Sequence, residues 1–210
     1  MTVSESPKID LLNVDCMEYM ATVPDKYFDL AIVDPPYGID INKSGRLVKE
    51  KGWEYKDWDN AIPDFKYFYE LARVSKNQII WGGNYFSLGA TRGFIIWDKQ
   101  QPEGVSFASC EFAWSSFDCS AKTFYKRPQG DERIHPTQKP IALYKWLLHN
   151  YAKEGDKMLD THGGSMSSAI ACHQMGFDLT LCELDKDYYE SGVKRFKEQT
   201  MQQDLFKKVI

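Results

Sequence analysis

The residues most able to do chemistry are Asp34, Pro35, Pro36 and Tyr37, which directly follow the apolar run 30–33. Proline disfavours the helical region for the residue before it, so Asp34 and Pro35 are both expected to be extended. Neither proline has an N–H to donate, and the backbone there offers only carbonyl acceptors. The sequence therefore predicts a stiff acceptor edge at the carboxyl end of a buried strand, where open α/β sheets bind their ligands.

Such an edge suits the activation of an amino group on an aromatic base. The lone pair of that nitrogen is delocalised into the ring, which makes it a poor nucleophile. The Asp34 carboxylate and the Pro35 carbonyl offer two acceptors for its two hydrogens, and would aim the lone pair at an electrophile. Tyr37 offers a ring face on which an extruded base can stack. The structural alternative is a Pro-Pro turn after a buried strand.

A second cluster, residues 156–185, has the pattern of a nucleoside-binding βαβ unit. A strand ends at Asp160, a loop containing Gly163 and Gly164 leads into a helix, and the next strand ends at Glu183. The separation of 23 residues (183 − 160) is close to the roughly 20 after which an acidic residue binds ribose hydroxyls. Amides at the helix start suit a carboxylate. The loop lacks the Lys-Ser/Thr of a P-loop, and a purely structural βαβ unit is the other interpretation.

Asp34-Pro35-Pro36-Tyr37 resembles the catalytic motif of the amino-group DNA methyltransferases in its adenine-N6 form; cytosine-N4 members more often begin it with serine. Four further segments are similar to that family in the order of its β subgroup: Asp15-Cys16, the stretch 135–140, the glycine loop and Glu183. The resemblance spans residues 10–195. It implies a site-specific methyltransferase that uses S-adenosylmethionine, binds double-stranded DNA and methylates adenine N6 of a flipped base.

The resemblance also implies which residues form the site, and it implies no metal. Residues 34–37 are expected to be catalytic, and Thr137 and Lys139 to hold the methionine carboxylate. The glycine loop departs from the family's Asp-Pro-Phe-x-Gly-Ser-Gly at Thr161, His162 and Met166; His162 can stack on the adenosine in place of phenylalanine. The expected cofactor-binding residues are Asp15, Cys16, Thr137, Lys139, Asp160, Thr161, His162, Gly163, Gly164, Ser165 and Glu183.

Two segments, 42–60 and 116–134, are the expected target-recognition loops. The net charge of the chain is −4, but residues 43–51 hold four basic residues against one acidic, and residues 122–139 hold five against two, so each stretch is locally +3. Solvated loops, and tryptophans packed on the core, are the alternative. The expected DNA contacts are Lys43, Arg46, Lys49, Lys51, Trp53, Lys122, Lys126 and Arg127.

The elements that must position these residues alternate as in an α/β domain. Strands are predicted at 30–33, 78–81, 93–97, 112–115, 157–159 and 179–182, helices at 64–75, 140–152, 166–175 and 186–199, and loops at 42–60 and 116–136. We predict one domain over 1–210 with a Rossmann-like fold, in which helices cover both faces of a mostly parallel twisted sheet. The resemblance adds one antiparallel strand near the edge and is compatible with a homodimer.

The remaining composition is that of a soluble protein, with 43% hydrophobic and 27% charged residues. The first ten residues are polar, and apolar runs such as 94–97 are too short to cross a bilayer. Five scattered cysteines without a CxxC pair predict reduced thiols. A cytoplasmic protein of a bacterial or phage-infected cell is expected.

Three other functions stay open from the sequence. A cytosine-N4 DNA methyltransferase shares the expected architecture. A non-catalytic DNA- or cofactor-binding partner subunit would keep the fold without the reaction. A methyltransferase for RNA or for a protein side-chain amide is the third, although such relatives often begin the catalytic motif with asparagine, where this chain has Asp34.

Overall fold

A computed structural model of the chain describes residues 6–39, 59–102, 104, 108–128, 133–135 and 137–207, with side chains up to 201. The strands are β1 (Ile9–Leu12), β2 (Phe28–Val33), β3 (Ser75–Trp81), β4 (Ile95–Asp98), β5 (Cys110–Ser115), β6 (Lys122–Tyr125), β7 (Lys157–Asp160) and β8 (Asp178–Cys182). The helices are α1 (Cys16–Ala21), α2 (Phe65–Val74), α3 (Ile141–Tyr151), α4 (Ser167–Met175) and α5 (Lys186–Lys207), and a single 3₁₀ turn spans Gly83–Tyr85.

The strands form one sheet in the order β1-β8-β7-β2-β3-β5-β4-β6. All neighbouring pairs are parallel except those of β5, which runs antiparallel to both β3 and β4. This confirms the predicted mostly parallel sheet with one antiparallel strand towards an edge. Because β5 runs the other way, its first residues lie beside the last residues of β4, with Glu111 opposite Trp97. The start of β5 therefore reaches the same edge of the sheet as the carboxyl ends of β2 and β3.

Helices cover both faces of the sheet, as predicted, because alternate residues of the central strands point to opposite sides. Leu30 and Ile32 of β2 belong to a core that includes residues of α3, α4 and α5. Ala31 and Val33 belong to a second core formed with α1 and α2. Both cores meet at β2, so the residue after that strand is held from two sides.

The sequence analysis did not predict two of the strands, β1 and β6, which are both short and lie at the edges of the sheet. The prediction of a loop over 116–136 is wrong at β6, where Lys122–Tyr125 pairs with β4. Alternating half-buried and exposed side chains and a length of four residues give β6 little hydrophobic signal. β1 is equally short. Of the other expected loop, 42–60, residues 42–58 lie outside the described part of the chain.

Met166 occupies the position before α4 with a left-handed backbone, φ 59° and ψ 24°. This region favours glycine, the residue expected there from the family pattern, and costs other residues about 1–2 kcal/mol. The Met166 side chain is fully buried, and a Cβ added to Gly192 would lie 2.6 Å from its Cγ. Core packing thus offsets the backbone strain.

Replacing Met166 tests that balance. We expect Met166→Ala to lower the free energy of unfolding by about 2–5 kcal/mol through loss of packing. Met166→Gly loses the same packing but relieves the left-handed strain, and is expected to be about 1 kcal/mol more stable than the alanine variant. Denaturant unfolding of the two variants measures the difference. An alanine variant more stable than the glycine variant would refute the strain.

Candidate active site

A cleft of about 400 Å³ opens where β1, β8, β7 and β2 end. Residues from all five segments that resemble the family line it, although these segments are far apart along the chain. Asp160, Pro35 and Tyr37 are not among the lining residues. The predicted site residues that do line the cleft are Asp15, Cys16, Asp34, Pro36, Thr137, Lys139, Thr161, His162, Gly163, Gly164, Ser165 and Glu183.

Asp34 follows β2 directly and is engaged through both carboxylate oxygens. Tyr37 donates its hydroxyl to Oδ1 at 2.5 Å, and Lys139 donates from Nζ to Oδ2 at 2.5 Å. Burial raises the pKa of Asp34, and the nearby Lys139 ammonium opposes that rise. The carboxylate is thus held in the cleft by a cation and a phenol.

The ring of Tyr37 is already stacked within the protein. It lies nearly parallel to Tyr85, with ring centroids 5.1 Å apart and an interplanar angle of 15°. Gly82 makes room for it, since a Cβ there would lie 2.2 Å from the ring, and its φ of +71° also favours glycine. Tyr85 is 44% exposed. The aromatic face turned towards solvent beside the motif therefore belongs to Tyr85, which lies just after β3.

Asp59 fixes the backbone of the motif and was not predicted from the sequence. Its Oδ1 accepts from the backbone amides of Tyr37 at 2.7 Å and Gly38 at 3.1 Å, and the residue is only 3% exposed. Two amides on one buried carboxylate hold the chain in place immediately after the Pro-Pro pair. Because Asp59 lies 22 residues after Tyr37, no local pattern points to this contact.

Lys139 forms ion pairs with two carboxylates of the protein itself. Its ammonium lies 2.5 Å from Asp34 and 2.9 Å from Glu111, with only 2% of the side chain exposed. Glu111 pairs in turn with Lys99 at 2.7 Å. The Lys139 charge therefore meets the catalytic motif, and its predicted hold on a methionine carboxylate stays a prediction.

Thr137 lines the cleft, and its predicted contact with a methionine carboxylate stays a prediction. Its backbone amide and hydroxyl lie 3.3 Å and 3.1 Å from Nδ1 of His135, which fixes the turn at the mouth of the cleft. The His135 ring packs edge-on against Tyr188 at 4.3 Å. This interaction makes His135 a support for Thr137.

Asp160 fixes the glycine loop through hydrogen bonds, although it does not line the cleft. Its Oδ1 accepts from the His162 amide at 3.0 Å and its Oδ2 from the Ser168 hydroxyl at 2.5 Å. Burial raises the pKa of Asp160 to about 7, and the residue is 2% exposed. Asp160 ties the end of β7 to the first turn of α4, and so acts through the loop without lining the cleft.

Three backbone amides of the loop donate hydrogen bonds to other groups of the chain. Gly163 donates to the Cys182 carbonyl at 2.9 Å and Met166 to the Gly163 carbonyl at 2.8 Å. Gly164 donates to Glu183 at 2.7 Å. A Cβ on Gly163 would lie 2.2 Å from Leu181, so this glycine is required for the close approach of the loop to β8. The amides of Gly163, Gly164 and Met166 are thus engaged within the chain, and binding of a carboxylate at the start of α4 stays a prediction.

The unusual pair Thr161 and His162 is joined to Tyr67 of α2 by a chain of hydrogen bonds. The Tyr67 hydroxyl is 2.7 Å from Thr161 Oγ1, which is 2.9 Å from His162 Nδ1. The His162 ring also packs edge-on against Tyr67 at 5.5 Å. Proline at 161 and phenylalanine at 162 would lose both hydrogen bonds, so the two departures from the family loop interact directly in this structure.

Burial lowers the pKa of His162 to about 4, from 6.5. As pH falls below 6.5, the unfolded chain protonates this histidine before the folded one does, so its contribution to stability is present above 6.5 and lost towards pH 4. We expect the free energy of unfolding of the native chain, relative to His162→Phe, to decrease as pH is lowered from 6.5 to 4. Denaturant unfolding across this range, with His149→Phe at an exposed position of α3 as the control, measures it. A constant difference would contradict a buried neutral ring.

Two carboxylates stand at the far end of the cleft. Glu183, after β8, accepts the Gly164 amide on Oε2 at 2.7 Å and the Asp185 amide on Oε1 at 2.9 Å. Asp15, after β1, caps α1 by accepting the Met17 amide at 2.6 Å. Burial raises the pKa of the adjacent Cys16 thiol to about 12, so it stays neutral. Acceptors beside the apolar Val14 and Leu184 of the same lining suit the hydroxyls, amine and ring of a nucleoside.

The predicted DNA contacts fall largely outside the described residues. Lys43, Arg46, Lys49, Lys51 and Trp53 all do so. Lys122 donates to Asn150 at 2.7 Å and lies over the Tyr151 ring, so its ammonium is used within the fold. Lys126 and Arg127 directly follow β6, where Arg127 is exposed.

The described residues contain no cluster of three or more His, Cys, Asp or Glu side chains able to hold a metal. All five cysteines are free thiols. None of the helices described is long and apolar enough to span a bilayer.

Comparison with known proteins agrees with this geometry. A family model described as DNA methylase matches residues 96–194. The type II methyltransferase M.HinfI of Haemophilus influenzae is 22% identical over 90% of this chain and 68% of its own length. The crystal structure of an M1.HpyAVI–SAM complex superposes with a TM-score of 0.60 at 20% identity, covering 89% of this chain and 99% of that one. The PvuII cytosine-N4-specific DNA methyltransferase gives 0.63 at 11% identity, covering 93% and 91%.

The strand order, the cleft and these likenesses define an α/β protein with the Rossmann-like fold of the methyltransferases. Within that class, the chain is similar to the DNA methylase family over residues 96–194 and to type II methyltransferases over most of its length. The family match begins at residue 96, after the motif at 34–37. The assignment of that motif therefore rests on its own geometry.

Proposed function

We propose that the chain transfers a methyl group from S-adenosylmethionine to adenine N6 of a base flipped out of double-stranded DNA. The observation that carries the proposal is that Asp34 opens into the same cleft as Asp15 and Glu183. Hydrogen-bond acceptors for a nucleoside and a hydrogen-bond acceptor for an amine thus line one cleft of about 400 Å³. The relatives named as DNA methyltransferases support a DNA substrate.

The lining of the cleft suits S-adenosylmethionine. Glu183 would accept the ribose hydroxyls, Asp15 the adenine amine, and the His162 ring would face the adenosine. Thr137, fixed by His135, would bind the carboxylate of the methionine part. When bound, the cofactor supplies an electrophilic methyl group on a sulfonium, so that an N–C bond forms as the S–C bond breaks.

The protein's own part in the reaction is to present the amine. We propose that the target amino group donates one hydrogen bond to Asp34, in place of the Tyr37 hydroxyl, and a second hydrogen bond to the Pro35 carbonyl. Only an ionised Asp34 can accept both a hydrogen bond and, after transfer, the surplus proton of the nitrogen. Positioning and a fixed charge, more than acid–base chemistry, supply the rate enhancement. Tyr85, the exposed ring of the stacked pair, offers the flipped base a surface.

The choice of adenine N6 over cytosine N4 rests on Asp34 as the first residue of the motif. The fold does not discriminate between the two bases, since a protein named as cytosine-N4-specific shares it. Mass spectrometry of nucleosides from DNA incubated with the purified chain and labelled S-adenosylmethionine tests the proposal. We expect labelled N6-methyldeoxyadenosine. N4-methyldeoxycytidine would reassign the base, and DNA without label would contradict the activity.

A further inference from the structure

A line of alternating charges runs from the catalytic motif into the sheet edge. Asp34, Lys139, Glu111 and Lys99 are joined in that order by contacts of 2.5, 2.9 and 2.7 Å. Their side chains are 16%, 2%, 20% and 15% exposed. Because water reaches these groups poorly, the interactions among them are stronger than those of surface ion pairs.

The antiparallel course of β5 creates this line. Glu111 is the second residue of β5, and the strand direction brings it to the edge where Asp34 follows β2. Lys99 comes directly after β4, and Lys139 lies just before α3. A parallel strand at the position of β5 would place its first residues at the opposite edge.

We infer that Glu111 is a positioning residue for the transfer reaction: by sharing the Lys139 ammonium with Asp34, it weakens the hold of that cation on the Asp34 carboxylate, which stays turned into the cleft and open to the target amine. The inference rests on the proposed function, in which Asp34 accepts the hydrogens of the target amine. Glu111 does not line the cleft, so it acts through Lys139.

Both partners of Lys139 are needed for this balance. A buried aspartate without a cation would take up a proton, and a protonated Asp34 could no longer accept both a hydrogen bond and a proton. A buried lysine with Asp34 as its single partner would hold that carboxylate too tightly for an incoming amine to compete. The second carboxylate divides the ammonium between two acceptors, and Lys99 compensates the added charge, so the four charges sum to zero.

Opposite effects of these two charges on Asp34 make the inference testable. Glu111 raises the pKa of Asp34 and Lys139 lowers it. The other ionisable groups around Asp34 are Tyr37, Tyr67 of α2, Tyr144 of α3 and Asp160 of β7, and the two substitutions leave all of them in place.

The activity test compares the pH dependence of kcat in Glu111→Gln and Lys139→Met. The acid limb reports ionisation of Asp34, so we expect it to move to lower pH in Glu111→Gln and to higher pH in Lys139→Met. On the plateau, Glu111→Gln is expected to lower kcat by about 10- to 100-fold, the range for loss of a supporting contact, with KM for S-adenosylmethionine unchanged. Unmoved limbs, or limbs that move in the same direction, would overturn the inference.

A second measurement does not depend on activity. The side-chain carboxyl of Asp34 can be titrated by ¹³C NMR in aspartate-labelled protein, with the resonance identified by its loss in Asp34→Asn. Glu111→Gln, which keeps the size of the side chain, should shift the midpoint to lower pH, whereas Glu190→Gln, at an exposed site of α5, should not. A shifted midpoint in a chain that methylates nothing would refute the proposed function alone. An unshifted midpoint in an active chain would refute the role of Glu111 alone.

Discussion

Asp34→Ala is expected to reduce methyl transfer to DNA by at least about 10²-fold, the scale seen when a transition-state hydrogen-bond partner is removed. The substitution deletes the acceptor for the target amine and leaves only the Pro35 carbonyl. Affinity for S-adenosylmethionine should change little, since Asp15 and Glu183 lie at the other end of the cleft. Single-turnover transfer of labelled methyl, with cofactor binding measured by calorimetry, separates the two effects.

Asp34→Asn is the matched control for that result. Asparagine keeps one acceptor oxygen and the size of the side chain, so it should retain more activity than alanine while losing the charge that receives the proton. Both variants leave Lys139 with one carboxylate in place of two, and their free energies of unfolding must be compared first. An alanine variant within tenfold of the native rate, with DNA and cofactor bound, would remove Asp34 from the reaction.

Glu183→Ala is expected to weaken binding of S-adenosylmethionine by about 10²-fold. Each hydrogen bond to a charged acceptor contributes about 1.5–3 kcal/mol, and every 1.4 kcal/mol is tenfold in affinity. The loss has two sources, because Glu183 also holds the amides of Gly164 and Asp185 that shape the cleft. Isothermal calorimetry with the cofactor measures the change.

The exposed Glu154 provides the control for Glu183. Glu154→Ala, in the turn before β7, removes the same charge at a distance from the cleft and should leave the affinity unchanged. Glu183→Gln retains the size and one acceptor, and should fall between the two. Equal affinities for Glu183→Ala and the native chain would place the nucleoside elsewhere.

The sequence predicts those parts of the site that depend on local patterns. The strand, loop, helix and strand from β7 to β8 follow one another within residues 157–182, and the glycines that the loop requires are visible in the sequence. Asp34 and the two prolines after it similarly predict where β2 ends. Each of these features is fixed by backbone preferences over a few residues, which a single sequence records.

The contacts that hold the site depend on pairs distant in sequence. Lys139 lies 105 residues after Asp34, and Glu111 meets them only because β5 is antiparallel. A lysine in a loop and a glutamate at the start of a strand are both usually exposed to solvent, so their burial could not be predicted from residue type. The resemblance suggested a ligand carboxylate for Lys139; the structure supplies two carboxylates of the chain itself. The stack of Tyr85 on Tyr37 was not predicted for the same reason, since it depends on tertiary packing.

The most direct measurement of the central claim is the distance from the Asp34 carboxylate to the exocyclic nitrogen of a flipped adenine, in a crystal structure with DNA and an unreactive cofactor analogue. We expect an oxygen of Asp34 within about 2.7–3.2 Å of that nitrogen, with the Tyr37 hydroxyl displaced and the adenosyl group between His162 and Glu183. A flipped base elsewhere, residues 34–37 turned away from it, or an analogue outside the loop at 160–166 would contradict the account.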